Sequence, residues 1–386
     1  MGLPETFDMA KRIGLLVLVG RLVGRGEGRR TISEQQLLMQ YADVHPQLKL
    51  ALMNYHKGCF QSLSGYSPRS GLPDAKSATS FSKVARVAAG MELIEMMGSQ
   101  KTRQYRANAI TMALVAISDS LKVPLATFDL PTPVKGLVTD ELLRLDGDLI
   151  LALYLAVQQA GREGVKKSQQ LYRDFGLGGI DLLRWELEAG LFKPSSPMKV
   201  IKRVKFLEEN LQLLARNLHV KRGFLHMVEP RIHWLIDLDL IDVRFFCTEG
   251  LLRVPQDHKL ARPESIAEFN SCISRLQAFA VSWRWNREGM PYLTSIPEKD
   301  VTEEDIRKSL VRAARILQSH YPGFIPVESV TRVSRAILLQ DGFSVPEDRL
   351  LGLIASAIQA PYRGLTSGGF VDPKVFGIDY SKDTSD

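Results

Sequence analysis

Ser80 to Asn108 reads SFSKVARVAAGMELIEMMGSQKTRQYRAN, and this stretch decides how the rest of the chain is organised. A polar lead, Ser77-Ala78-Thr79-Ser80, offers caps for a helix start. Val84, Val87, Ala88, Met91, Leu93, Ile94 and Met97 then recur at helical spacing, and Gly98 closes the run as a C-terminal glycine would. A basic ribbon follows, with Lys101, Arg103 and Arg106 around Tyr105 and before Asn108. Cations on a helix and on the hairpin behind it suit contact with phosphates or base edges.

Upstream, residues 5–24 are expected to form a long helix whose apolar positions (Ile13, Leu16, Val17, Val19, Val23) make a face wide enough for burial on most sides. Thr31 or Ser33 caps a second helix over 34–42, and Pro46 to Leu63 reads as a third helical segment. The loop 64–76 is rich in Ser, Gly and Pro. Helices followed by a basic hairpin make residues 1–123 resemble the winged-helix (helix-turn-helix) superfold. The expected fold class is therefore mainly α with short β-hairpins, in tandem winged-helix domains. The resemblance is to the superfold and to no particular family. It implies Lys76, Lys83 and Arg86 on or before the recognition helix, and Lys101, Arg103 and Arg106 on the wing.

The outline recurs along the chain. A linker is expected over 124–139, where three prolines fall between Pro124 and Gly136 if Pro131 and Pro133 are included. A second unit spans 140–196: helix 147–161, a short helix to Phe175, a turn at Gly176 and Gly179, and a third helix over 180–189 leaving through Gly190-Leu191-Phe192. Its third helix points Asp181, Arg184, Glu186 and Glu188 outward, which suits protein packing better than DNA. A third unit spans 197–250, with helix 204–218, Pro230 at the first turn of a helix over 231–240, and a strand at 243–246. LLRWELEAGLF (182–192) and RIHWLIDLDLIDV (231–243) echo each other across these two units. Residues 251–300 read as a helical connector, in which Trp283-Arg284-Trp285-Asn286-Arg287 suits a buried aromatic helix end better than a base-stacking ribbon. A C-terminal winged-helix-like unit covers 301–380: a capped helix from Thr302 with Arg307, Lys308, Arg312 and Arg315 outward, helices over 327–340 and 345–357, and a wing from Tyr362–Leu365 and Phe370–Asp372. Residues 381–386 are a polar tail, expected to be disordered.

Bulk properties narrow the function. The 386 residues exceed one ordinary core, and 45% hydrophobic with 24% charged residues is the composition of a globular protein. No run reaches the roughly 18 apolar residues of a membrane span. The apolar stretch from Ile13 lacks the cleavage pattern of a signal peptide, so a cytoplasmic protein without membrane association is expected. Cys59, Cys247 and Cys272 are too few and too scattered for a disulfide framework or a cysteine zinc site.

The net charge of +7 is clustered. Residues 193–222 carry eight basic side chains, Lys193, Lys199, Lys202, Arg203, Lys205, Arg216, Lys221 and Arg222, against two acids, Glu208 and Glu209. Such stripes are the footprint of a phosphate-backbone partner, although a solvated helix face carries charge in the same way. Lys199, Lys202, Arg203, Lys205, Lys221 and Arg222 join the candidate DNA-binding set.

Chemistry finds little support. Gly24-Arg-Gly26-Glu-Gly28 lacks the Gly-Lys-Ser/Thr ending and the spacing of a phosphate loop. Asp237-Leu-Asp239 has the spacing of a Mg²⁺-binding pair in nucleases, but a helix would turn the two acids to different faces. His226, His233 and Asp237 form a surface polar cluster more readily than a metal site. No hydrolase, zincin or cysteine-nucleophile motif is present. The sequence thus predicts a binding protein with no catalytic residue, cofactor or metal. It would act on double-stranded DNA, as a regulator or as the DNA-engaging subunit of a larger complex. A scaffold subunit that docks other proteins through its winged helices is the alternative, and a metal-dependent nuclease a second one.

Overall fold

A computed structural model of the chain describes residues 10, 12–25, 31–59, 72–99, 102–162, 168–188, 197–216, 218–238, 242–245, 251–253, 301–318, 320–321, 323–340, 343, 345, 347–357 and 369–376. These residues are mainly helical, with a few short strands. The first part runs α1 (Ile13–Gly24), β1 (Ile32–Ser33), α2 (Glu34–Cys59), α3 (Ala78–Gly90), β2 (Glu95–Met97) and β3 (Gln104–Arg106), followed by α4 (Ala109–Ser120). The three strands form one antiparallel sheet in the order β1-β3-β2. Ile32 pairs with Tyr105, and Glu95, Met96 and Met97 pair with Arg106, Tyr105 and Gln104.

Helix α1 is buried from Ile13 to Val23, as its all-round apolar surface requires. Two of its glycines let neighbours approach the backbone. A Cβ on Gly24 would lie 2.5 Å from Val115 of α4, and one on Gly14 would lie 2.8 Å from the carbonyl of Thr127. The helix starts at Ile13, because the Asp237 carboxylate accepts the Ile13 N–H (3.0 Å). The helix start expected near residue 5 lies outside the described residues.

Pro46 and Gly98 act differently from the sequence expectation. Pro46 does not divide two helices: α2 continues through it, because Leu37, Tyr41, Val44, Leu48 and Leu52 make one uninterrupted buried stripe. Helix α3 ends at Gly90 rather than Gly98, and Leu93 and Ile94 are buried in the bend before β2. Their burial explains why the helical apolar pattern overruns the helix. Gly98 instead forms the β2–β3 turn at φ +81°, a conformation open to glycine and strained for other residues.

The middle of the chain is a set of long helices: α5 (Thr132–Arg162), α6 (Ser168–Glu188), α7 (Pro197–Ala215) and α8 (Arg222–Asp237), then a hairpin of β4 (Asp242–Phe245) and β5 (Leu251–Arg253). Helix α5 begins within the stretch expected as a linker and is kinked at Asp146 (φ −138°, ψ 22°). Helix α6 runs unbroken where two helices and a glycine turn were expected. Its glycines serve packing: a Cβ on Gly176 would meet Leu211 of α7 at 2.8 Å, and one on Gly179 would meet Leu149 of α5 at 3.3 Å. Pro230 likewise lies inside α8 rather than opening a helix.

The C-terminal part comprises α9 (Glu303–Gln318), β6 (Ile325–Pro326), α10 (Val327–Gln340), α11 (Glu347–Ala357), β7 (Phe370–Val371) and a short 3-10 helix (Pro373–Phe376). Strand β7 pairs with β6, Ile325 opposite Val371 and Pro326 opposite Phe370. The expected wing strand at 362–365, the connector over 254–300 and the tail lie outside the described residues. Thr302 and Asp305 form a reciprocal cap at the start of α9, the Thr302 hydroxyl accepting the Asp305 N–H (3.1 Å) and the carboxylate accepting the Thr302 N–H (3.2 Å).

Buried ion pairs join the three parts. Arg332 of α10 reaches Asp140 (2.7 Å) and Glu141 (3.1 Å) of α5, and Arg335 reaches Asp140 (2.9 Å). Arg231 of α8 bonds Asp146 at the α5 kink. Arg12 bonds Asp237, and the Trp234 indole N–H donates to the Ala10 carbonyl (2.8 Å). Arg21 donates to the carbonyls of Val123 and Pro124, both at 2.7 Å.

Candidate nucleic-acid interface

Helix α3 is capped by Ser77, whose hydroxyl accepts the Ser80 N–H (3.3 Å). Phe81, Val84, Ala85, Val87 and Ala88 fill its buried side. Tyr41 of α2 stacks on Phe81 with ring centroids 4.5 Å apart, and its hydroxyl donates to the Pro73 carbonyl (2.8 Å). This packing fixes which side of α3 faces outward. That side carries Thr79 and Arg86, both exposed, with Lys83 half-buried between them. Lys76 is exposed in the turn ahead of the helix.

The β2–β3 hairpin stands behind α3. Its two described arginines are both engaged. Arg106 lies opposite Glu95 in the ladder and donates to one of its carboxylate oxygens from Nε (2.9 Å) and Nη2 (2.6 Å). That pair is at the surface, where ion pairs contribute little stability. Arg103 is 13% exposed and donates to Glu34 in the first turn of α2 (3.0 Å) and to the Ser82 hydroxyl of α3. It ties the hairpin to both helices. The Tyr105 phenol also reaches Glu34 (3.4 Å), and burial, then the Glu34 charge, hold its pKa well above the ordinary value, so it stays protonated. Lys101 lies outside the described residues.

The second basic cluster sits on α7. Val200, Val204, Leu207 and Asn210 face inward, which leaves Lys199, Lys202 and Lys205 exposed, with Arg203 half-buried. The two acids of the stretch are both paired: Glu209 with Lys221 (2.5 Å) and Glu208 with Arg184 of α6. Asn210 fixes α7 to the start of α8 by accepting the Lys221 N–H (2.9 Å) and donating to the Phe206 carbonyl (2.8 Å). Arg222 opens α8. The α3 and α7 cations are thus carried on separate elements.

Asp237 is buried and holds both Arg12 and the first N–H of α1. Asp239 lies outside the described residues. Among the described residues no group of three His, Cys, Asp or Glu side chains is placed to hold a metal ion, and no helix is long and apolar enough to cross a membrane.

Sequence reasoning missed the carboxylates Glu34 and Glu95, which set what Arg103 and Arg106 do. Glu95 had a readable signal, since a β2–β3 hairpin centred near Gly98 brings it opposite Arg106. Glu34, 69 residues from Arg103, had none. The comparisons with known proteins leave the site to its own geometry: no family model, curated protein or solved structure matches the chain.

Proposed function

We propose that the chain is a non-enzymatic protein that binds double-stranded DNA mainly through the phosphate backbone, with residues 13–106 acting as a winged helix. The observation that carries this reading is the element order α1-β1-α2-α3-β2-β3 with sheet order β1-β3-β2, which puts a cation-bearing third helix directly before a two-stranded hairpin. The order α9-β6-α10-α11-β7 supports a second winged helix at the C-terminal end, in keeping with a tandem arrangement. In this account α3 is the recognition helix, with Lys76, Lys83 and Arg86 on the duplex, and Lys199, Lys202 and Lys205 of α7 form a second backbone contact. Arg103 holds the hairpin in place. Arg106 is shared between Glu95 and any phosphate that reaches it.

The test is binding of a labelled duplex of about 30 base pairs at low salt by wild type, Lys83→Glu/Arg86→Glu and Lys199→Glu/Lys202→Glu/Lys205→Glu. Wild type binds, and the α3 variant loses most of the affinity while keeping its helical circular dichroism. Absence of wild-type binding sinks the reading.

A second reading, a structural subunit of a larger complex, draws on α10. Its side chains are buried from Val330 to Leu338, and the helix packs on α4, α5 and α9, so the C-terminal unit is built into the body of the protein. This reading predicts a chain that does not bind duplex at all.

A further inference from the structure

The outward face of the β6–β7 ladder carries two phenylalanines that the fold leaves uncovered. Phe324 is 65% exposed and Phe370 is 56% exposed. Ile325 and Val371, their neighbours in sequence, are 0% and 1% exposed and point into the core. Strand alternation therefore puts Phe324, Pro326 and Phe370 on one face. Pro326 lies opposite Phe370, so Phe324, two residues earlier, is its diagonal neighbour, at a separation of about 7–8 Å that large side chains bridge. The ladder is held firmly, since the Val327 N–H donates to the Gly369 carbonyl (2.9 Å). Exposed phenylalanine has no polar tip to satisfy in water, and two side by side call for a flat apolar partner.

The surroundings say what kind. Helix α9 packs against β6 and the 3-10 helix, and it exposes Arg307, Lys308, Arg312 and Arg315. Lys374 of the 3-10 helix is exposed too. Glu303, Glu304 and Asp305 open α9, with Glu304 3.6 Å from Lys308, and from Ile306 to Val327 the chain carries no acid beside Arg312 and Arg315. The two carboxylates nearest the face in sequence have places of their own: Asp372 accepts the Lys374 N–H (3.0 Å), and Glu328 lies in the first turn of α10, where a negative charge is favoured. Aromatic faces beside exposed cations are the chemistry of single-strand binding, with bases stacked on the rings and phosphates drawn to the Arg and Lys groups.

We propose that this face, Phe324 and Phe370 flanked by the cations of α9 and Lys374, stacks unpaired bases of a single-stranded nucleic acid. It is independent of duplex binding by α3, because it uses neither that helix nor its hairpin.

The test uses the full chain and fluorescence anisotropy with labelled dT20 and rU20 at about 50 mM salt. Phe324→Ala/Phe370→Ala is expected to weaken dT20 binding by about 30-fold or more, the loss of two stacked bases. Phe324→Tyr/Phe370→Tyr, which keeps the ring faces, is expected to retain it. Phe324→Ala/Phe370→Ala is expected to bind duplex as wild type does, which separates this face from α3. The ratio of dT20 to rU20 affinity says which strand is preferred. Both phenylalanines are exposed, so the alanine variant is expected to keep the wild-type unfolding midpoint. The proposal is overturned if wild type fails to bind either strand, or if the alanine variant binds as tightly as wild type. It is also overturned if sedimentation shows wild type self-associating through this face and the alanine variant monomeric with unchanged dT20 affinity.

Discussion

Asp237→Asn removes one charge and almost no volume. In the wild type the Asp237 carboxylate accepts from the Arg12 guanidinium (2.5 Å) and from the Ile13 N–H (3.0 Å), and both side chains are at most 1% exposed. The variant removes the Asp237 charge from beside a buried guanidinium. Breaking a buried pair from one side costs about 3–5 kcal/mol, and a poorer acceptor at the α1 N-terminus adds up to about 1 kcal/mol. A loss of roughly 4 kcal/mol is therefore expected in urea unfolding followed by circular dichroism. For a chain this long, with an m-value above the range of small proteins, the midpoint falls by about 1 M. Arg12→Met/Asp237→Leu removes both charges, and an apolar replacement of a buried pair is often neutral. The double variant is expected to recover most of the loss. If Asp237→Asn lies within 1 kcal/mol of wild type, or the double variant is no more stable than the single one, the pair is not holding α1 to α8 as described.

Other consequences follow from the same geometry. Arg103→Ala is expected to lower stability by about 1–3 kcal/mol through loss of the Glu34 and Ser82 contacts, which thermal melting reads directly. Gly98→Ala is expected to distort the hairpin, because a Cβ there would lie 2.4 Å from the Thr102 carbonyl at φ +81°. Weaker duplex binding with little change in the melting of the helical body is the expected signature. Burial pushes the His320 imidazole below its ordinary value near 6.5, with the Asp119 charge working against it. Its neutral form is therefore favoured in the folded state, and stability present above pH 6.5 is lost as pH falls through the folded value. His320→Gln is expected to flatten the urea midpoint against pH on the acid side of 6.5, and an unchanged slope would contradict the assignment.

What was legible in the sequence was mostly local. The Ser77 lead, the inward side of α3, the all-round burial of α1 and the Thr302 cap of α9 each follow from a few adjacent residues. Helix continuity was not legible where a breaker residue had another task. Pro46 and Pro230 sit inside helices whose apolar stripes outweigh the missing N–H, and Gly176 and Gly179 exist for close packing against Leu211 and Leu149. A glycine that admits a neighbour and a glycine that makes a turn look alike in one dimension. The basic site was legible as a set of cations, but what each one touches was not. Arg103 and Glu34 are 69 residues apart, and Arg332 and Asp140 are 192 apart. Pairs at that range leave no periodicity to read.

The most direct test of the account is the salt dependence of duplex affinity for wild type and for Lys76→Glu/Lys83→Glu/Arg86→Glu. Three phosphates neutralised by Lys76, Lys83 and Arg86 give a slope of log affinity against log salt of about −2.7, or roughly a 40-fold loss between 50 and 200 mM salt. A wild-type slope at least that steep, and shallower by about 2.7 in a variant that remains folded because only the α7 contact is left, is the predicted result. Equal slopes in the two proteins, or no wild-type binding at 50 mM salt, would contradict the claim that α3 engages DNA.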